Sequence, residues 1–457
     1  MLHLDMCSLY KRVCAACWRC RAAFPLTQSQ RCKAAAASFV QPEGPRASPH
    51  RKHPGLSNLK TLRLPEELQS GALSVIYKSE VKDLSERARR LTNFLWSRKR
   101  AAESRELRER AAALERKWKE AEEERVSEEN YDSSETRIRR KVLSELKRTT
   151  YHWKPLKYDA DLGLVYMAAR LAGGYAAVMR ALNEIKRRDS SFAPRSLLDF
   201  GSGLGSALWA AHTHWGDSLM EYVCVDASAA MNSLAERLLT GDSEGAEPLI
   251  KHVYFRQFLP VSPKVQSDLV VAAFSLSELP NQEVREETLL TLWRKTHSYL
   301  VLVENGTKEG HQLLMDARDI LLKSEDKVLG DVRRPVVFAP CTHQQPCPKL
   351  LKEPVTPCNF LQPYYPLPVS RTGEPVQEKL SFLVVSRAGL QVPEALQGGR
   401  VVSPVRRRAR HVQCEVCCSD GGLRQLAITA RHHGRDVYRC ARSSDWGDRL
   451  PSIHMEE

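Results

Sequence analysis

Along residues 62–157 apolar positions are sparse and spaced for helices, and Ala, Leu, Glu, Lys and Arg, all strong helix formers, dominate. Within it, SRKRAAESRELRERAAALERKWKEAEEER places its basic half before its acidic half. That order reads as a solvated helix with i,i+4 ion pairs, or as an arm laid along RNA or a partner protein. SEENYDSSETR then reads as an interrupting loop. In DLGLVYMAARLAGGYAAVMRALNEIKRR apolar residues return at helical spacing, which puts Leu164, Met167, Leu171 and Val178 in a core. Tyr166, Arg170 and Tyr175 share this helix, as core or interface residues with ligand contact as the alternative.

From residue 196 the period changes. SLLDFG, EYVCVDAS, SDLVVAAFSL and YLVLVENG are short apolar runs that predict strands. Helical segments follow each: one through Trp209, AAMNSLAERLL, QEVREETLLTLWRKT and residues 309–322. Strands alternating with helices imply a parallel sheet covered on both faces, an α/β core of the Rossmann-like doubly wound class. After about residue 334 the chain is proline-rich, then strand-like in EKLSFLVVSR and GRVVSPV, and it ends in a basic piece. The expected organisation is a leader over 1–60, a helical extension over 61–190, the sheet core over 191–332, a cysteine-containing, mostly β or irregular region over 333–450 sharing strands with the core, and a tail over 451–457.

No apolar run approaches the roughly 20 residues that span a bilayer, so a soluble protein without membrane insertion is expected. The formal net charge of +14 favours an acidic partner, nucleic acid first. Part of that excess sits near the start, where residues 6–60 carry ten Lys and Arg against the single acid Glu43. Arginine and small residues with few acids describe a mitochondrial transit peptide, and hence the mitochondrial matrix. The spacing CAACWRC falls within this leader and is read as part of it. In a reducing compartment the clustered cysteines beyond it point to metal before disulfide.

In LLDFGSGLGSALWA an apolar strand runs into Asp199, Gly201, Gly203 and Gly205, and a helix follows. Glycines allow a tight turn and close backbone approach, and the helix start offers free N–H groups. Asp226 closes the next strand, where one carboxylate can accept from both hydroxyls of a ribose. Together these residues resemble a class I S-adenosylmethionine-dependent methyltransferase. The resemblance implies that Gly201, Gly203, Gly205 and Asp226, with Asp199 at the start of the motif, line the cofactor. Where base-amine methyltransferases carry an Asn/Asp-Pro-Pro-aromatic run, and RNA m5C enzymes a cysteine, this chain has AAFSLSELP. Ser275, Ser277 and Glu278 are the polar groups there. Glu278 reads as a loop-ordering residue, or as a base if a substrate proton is near, and no catalytic residue is assigned.

Cys341, Cys347 and Cys358 lie in the proline-rich run APCTHQQPCPKLLKEPVTPCNF, one thiol short of a four-cysteine site. A fourth would come from HVQCEVCCSD, which offers Cys414, Cys417 and Cys418. If residues 413–416 are extended, Cys414 and Cys418 share one face and Cys417 the other, and periodicity alone does not choose. The order of the tyrosine/arginine helix, LLDFGSGLGS, SLSELP, LVLVENGTKEG, the three-cysteine loop, EKLSFLVVSR and the ending HVQCEVCCSDGG…YRCARSSDWGD resembles the methyltransferase-like proteins associated with the mitochondrial small ribosomal subunit. The resemblance covers about residues 60–450 and implies an rRNA-binding assembly factor needed for mitochondrial translation, working with other assembly factors. It also implies a [4Fe–4S] cluster on Cys341, Cys347, Cys358 and, counting from His411, Cys417. The gaps of five and ten residues are wider than the C-x-x-C of a zinc ribbon and suit a larger cofactor. From residue 400 to 442 ten arginines face three acids, so the cluster would fasten an RNA-binding surface to the core. An active S-adenosylmethionine-dependent rRNA methyltransferase and a zinc-stabilised protein adaptor are the alternatives.

Overall fold

Four helices lead into the core in this computed structural model, which describes residues 55–123, 131–151, 153–262, 264–324, 334–369, 373–387 and 398–451. The leader as far as residue 54, with its cysteine spacing, and the tail from 452 lie outside the described residues. Helices α1 (Glu66–Tyr77), α2 (Leu84–Ser97), α3 (Ser104–Glu123) and α4 (Tyr131–Thr149) follow the helix-forming composition. The start of α4 corrects the expectation of a loop over SEENYDSSETR: from Tyr131 that stretch is helical. Lys141 lies over the Trp118 ring at 4.8 Å, a contact between α3 and α4 that favours the helical state. Residues 55–60, on the leader side of the boundary at 60, are bonded into the fold.

Helix α5 (Ala160–Arg188) starts where Asp159 accepts a hydrogen bond from the Leu162 N–H at 2.8 Å, an N-cap. At 29 residues it is long and apolar enough to span a bilayer, which corrects the reading that no such run exists. Here it is the central core helix. Met167, Leu171 and Val178 are buried, as their spacing predicts, and Leu164 is half-buried.

The core sheet contains β1 (Ser196–Phe200), β2 (Glu221–Val225), β3 (Val253–Arg256), β4 (Ser267–Ala273), β5 (Thr296–Asn305), β6 (Pro335–Ala339), β7 (Phe360–Tyr364) and β8 (Val376–Arg387). Their order is β3-β2-β1-β4-β5-β8-β6, with β7 on the same edge of β8 as β6. β1 to β5 are mutually parallel. β8 runs antiparallel to β5, β6 and β7, so the sheet is mixed, where the alternating pattern implied a parallel one. The edge strands β3 and β6 are four and five residues long, too short to show in the apolar pattern.

Period-two alternation splits each central strand between two cores. Leu197, Tyr222, Leu269, Val271, Val301 and Phe382 pack beneath α5, α6 (Ser206–Trp215) and α7 (Ala229–Leu239). Leu198, Val223, Val270, Leu300, Leu302 and Leu383 face α8 (Gln282–Arg294) and α9 (Lys308–Lys323). Strand order reverses between β1 and β4, which opens the crevice at the carboxyl ends where doubly wound sheets bind ligands. A second sheet of β9 (Arg400–Val401), β10 (Arg406–Arg407), β11 (Val412–Cys417) and β12 (Leu423–Ile428) packs with α10 (Gly434–Ser443) around its own small core.

Candidate functional site

At the end of β1 the turn has three glycines with left-handed φ, +68° at Gly201, +52° at Gly203 and +80° at Gly205. Gly201 is the constrained one. A Cβ there would stand 2.2 Å from Ser275 Oγ. That hydroxyl donates toward the carbonyls of Phe200 at 2.9 Å and Ala273 at 3.0 Å, latching the turn to the end of β4. Asp226 sits opposite. Its carboxylate accepts from the Gly203 N–H at 2.9 Å and the Ser228 N–H at 2.8 Å. Burial raises its pKa, and those two N–H groups act against the rise. Asp199 is fully buried behind the turn. Burial, then the neighbouring Asp226, pushes its carboxyl up to about 7.

Gly201, Gly203, Asp226, Met231, Phe258 and Phe274 line one cleft of about 860 Å³, within the size range of small-molecule sites. Lys157, Tyr158 and Asp159, the strap before α5, form its outer wall. Tyr166 lines the cleft as well, stacked edge-on with Tyr158 at 5.5 Å between ring centres. The other two residues of that helix do not reach it. Arg170 pairs with buried Glu378 at 3.0 Å and lies over the Phe274 ring, while Tyr175 is buried and hydrogen-bonds Thr213 at 3.1 Å.

At the end of β4, Phe274 adopts a left-handed φ of +58°, uncommon for an aromatic residue. Glu278 is already engaged, by Arg98 at 2.5 Å and by the Tyr158 hydroxyl at 3.3 Å. It therefore orders this end of the cleft. Glu304 at the end of β5 accepts from the Ser277 N–H at 3.1 Å, and burial pushes its carboxyl up to about 7.

The cysteine loop runs from β6 to β7 around the sheet. Cys341 and Cys347 pack against the α8/α9 side, and Cys358 against the α5 side. On β11, Val412, Cys414 and Val416 turn into the core of the second sheet. Glu415 and Cys417 take the opposite face. Glu415 pairs with Lys349 of the loop at 3.3 Å, and His343 of the loop approaches the Cys417 thiol at 3.2 Å. Burial raises the Cys417 pKa, followed by the proximity of Cys341, Cys358 and Cys347. The Cys358 thiol is raised by burial and then by Cys341 and Cys347. Cys414 is pushed up to about 11 by burial and then by Cys418, away from the loop cysteines. Strand alternation and packing thus bring Cys417, rather than Cys414, to the loop. Arg318, Lys349 and Arg400 act in the other direction on the loop thiols and favour thiolate. Among the described residues, no group of three or more His, Cys, Asp or Glu is arranged to hold a metal ion.

Arg400 and Glu184 form a joint that the motif reading missed. Arg400 reaches the Pro340 carbonyl beside Cys341 at 2.9 Å, Glu184 of α5 at 2.8 Å and the Gly447 carbonyl at 2.7 Å. An arginine beside a run of β-branched residues gave no sign of burial. Around the second sheet and α10, Arg406, Arg408, Arg410, Arg435 and Arg439 are exposed. Arg407 instead holds the end of α10, donating to the Arg442 carbonyl at 2.8 Å and pairing with Asp445 at 2.5 Å.

The sequence profile described as mitochondrial small ribosomal subunit Rsm22 matches residues 160–451. Human ribosome assembly protein METTL17, mitochondrial, is 52% identical over 407 residues, 89% of this chain and 86% of that protein. Rsm22-cox11 tandem protein 2, mitochondrial, from Schizosaccharomyces pombe is 24% identical over 324 residues, 63% of this chain and 43% of that protein. Among solved structures, magnesium protoporphyrin IX methyltransferase from Synechocystis aligns over 54% of this chain and 94% of that one, at 13% identity and a TM-score of 0.28.

Proposed function

The chain belongs to the mitochondrial small ribosomal subunit family Rsm22, and from that premise we propose that it is an assembly factor that binds the small subunit's rRNA in the mitochondrial matrix and supports mitochondrial translation. Other assembly factors are its further partners. The observation that carries this reading is the joint between the cysteine loop and the arginine-rich second sheet. Cys417 and Glu415 face the loop from β11, and exposed arginines surround the same sheet and α10. Arginine pairs bidentately with phosphate and stacks on bases, so a rigid array of them suits folded RNA.

In this reading Cys341, Cys347, Cys358 and Cys417 hold a [4Fe–4S] cluster. The donor chemistry fits, four thiols; Arg318, Lys349 and Arg400 favour thiolate at Cys341, Cys347 and Cys358, while burial, the larger effect, keeps all four thiols protonated until a cluster supplies the charge. When bound, the cluster would supply a cross-link between two segments 59 residues apart in sequence, Cys358 and Cys417. The chain's own residues prepare it. Arg318 of α9 donates to the Gln345 carbonyl and holds the loop to the core, and Lys349 donates to the Val402 carbonyl at 3.2 Å and holds it to the second sheet.

The cleft suits S-adenosylmethionine. Gly201 and Gly203, which line the cleft, would admit its methionine part close to the backbone, Gly205 would shape the turn into α6 behind them, and Asp226, with lone pairs beyond those its two N–H partners use, would accept the ribose hydroxyls. Asp199 would support the turn from behind. The engagement of Glu278 by Arg98 and Tyr158 favours a binding role over methyl transfer. The enzymatic alternative is tested by mapping rRNA methylation with Asp226→Ala.

Anaerobically purified protein tests the main reading. Iron and acid-labile sulfide in equal amounts are expected. The Cys341→Ser/Cys347→Ser double variant is expected to lose both and to bind small-subunit rRNA fragments about tenfold more weakly. Zinc without sulfide would sink the cluster, and unchanged RNA affinity in the double variant would sink the coupling.

A further inference from the structure

The acceptor side of the cleft, beyond the carboxyl ends of β4 and β5, is not open. Residues 95–103, from the last turn of α2 to the start of α3, cross it. The Leu95 carbonyl accepts from Asn305 Nδ2 at 3.5 Å, Arg100 lies 3.7 Å from Glu309, and Glu103 pairs with Arg285 at 2.5 Å. Arg98 is the innermost member, its side chain only 5% exposed. Its guanidinium pairs with Glu278 at 2.5 Å, donates to the Lys154 carbonyl at 2.8 Å and lies 5.1 Å from the Trp153 ring centre. The space left beside it is about 50 Å³, room for a few waters and not for a nucleobase.

Arg98 also reaches the cofactor side. Trp153 and Lys154 begin the strap whose Tyr158 walls the cleft. The Tyr158 carbonyl accepts from Ser228 Oγ at 2.5 Å, and the Ser228 N–H donates to Asp226. Glu278 Oε1 accepts from the Tyr158 hydroxyl and is also the oxygen that ion-pairs with Arg98.

We infer that Arg98 is the chain's own occupant of the acceptor position: it closes the route an acceptor would take and clamps the strap over the cofactor cleft, so a bound nucleoside cofactor is retained without turnover. The inference about retention rests on the cofactor reading above; the clamp itself does not. The planar fork matters, because one guanidinium serves a carboxylate, a carbonyl and an indole face, which an ammonium does not match.

The test uses the full chain with Arg98→Ala, Arg98→Lys and Glu278→Gln. Hydrogen exchange is read at amides 153–159 without cofactor, and release of tritiated S-adenosylhomocysteine is timed after dilution. Arg98→Ala is expected to speed both by about tenfold or more, with Arg98→Lys and Glu278→Gln intermediate and β1 and β5 amides unchanged. A folded Arg98→Ala protein with unaltered strap exchange and unaltered release overturns the proposal. Should Arg98→Ala fail to fold, Glu278→Gln decides by the same two readouts. If the wild type retains no S-adenosylhomocysteine while strap exchange still depends on Arg98, the cofactor reading fails and the clamp stands.

Discussion

Arg400 donates two hydrogen bonds to Glu184, at 2.8 and 2.9 Å, and neither side chain is more than 1% exposed. Arg180, one turn earlier on α5, shares the same carboxylate at 3.0 Å. Burial alone would raise the Glu184 pKa; Arg400 and Arg180 overcome it and hold the carboxyl well below the usual range. A buried pair adds little net stability over an apolar replacement, yet removing one partner strands the other. Glu184→Ala leaves two buried guanidiniums without their shared carboxylate. Its expected cost is about 3–5 kcal/mol by denaturant titration, with cleavage between the two sheets in limited proteolysis. Wild-type resistance to both would mean that Glu184 is not the joint.

The three cysteines of HVQCEVCC divide by face, and their serine variants should divide the same way. Cys417→Ser is expected to abolish iron and sulfide content. Cys414→Ser should keep both and lower stability by about 1–3 kcal/mol, because its hydroxyl would enter the apolar core of the second sheet. Cys418, half-buried with its thiol 3.7 Å from the Val416 carbonyl, should tolerate serine with the cluster intact. Loss of iron in Cys414→Ser with full retention in Cys417→Ser would reverse the assignment.

This division marks where the sequence stopped being legible. Alternation established that Cys414 and Cys417 oppose each other, but not which face was the inner one. That choice depends on Lys349, 66 residues away in the chain, meeting Glu415, and on Val412 and Val416 closing on Ile428, Leu426 and α10. Most of the core was readable, because strands β1, β2, β4 and β5 are apolar runs between helices and the glycine turn has a fixed grammar. The reversed direction of β8 was not, since an apolar run reads alike in both directions. Nor was Arg98: in a run of charged residues nothing local separates one buried arginine from its solvated neighbours.

Gly201 and Gly203 both have positive φ, but only Gly201 meets a neighbour. Gly201→Ala drives a Cβ to 2.2 Å from Ser275 Oγ, whereas the nearest atom to a Cβ at Gly203 is the flexible end of Met231 at 3.5 Å. Each alanine costs about 1 kcal/mol in backbone strain. Gly201→Ala should cost more, about 2–3 kcal/mol, because the Ser275 latch must also break. Thermal unfolding of the two variants side by side checks this, and equal melting points would refute the role of the latch.

Asp199 and Glu304 give the fold an unusual pH response. Both carboxyls hold their protons to about 7 in the folded chain, against 3.8 and 4.5 for free side chains. Between those values the folded state binds more protons than the unfolded state, so their contribution to stability falls as pH rises toward 7. Asp199→Asn or Glu304→Gln removes a share of that fall. Melting temperatures across about pH 5 to 7.5 should show each variant gaining on the wild type as pH increases. A gap between variant and wild type that stays constant over that range would count against either carboxyl being protonated in the fold.

The start of the folded body sets a limit on leader removal. The Gly55 carbonyl accepts from the Arg449 N–H at 2.8 Å, and the N–H groups of Ser57 and Asn58 donate to Asp448 Oδ1 at 2.7 and 3.2 Å. Ser57 also accepts at Oγ from Arg180 at 2.9 Å and at its carbonyl from Asn183 at 2.8 Å. These bonds tie the first described residues to the Trp446-Gly447-Asp448 ending and to α5. Processing that removed Ser57 and Asn58 would leave Asp448 buried without these two donors, a loss of about 1–3 kcal/mol for each unmet hydrogen bond to a charged group. Terminal mass spectrometry of the protein recovered from mitochondria should therefore find a mature N-terminus at or before Gly55. A chain starting at Thr61 should melt well below one starting at residue 50. A mature terminus beyond Asn58 with unchanged stability would show that these bonds are dispensable.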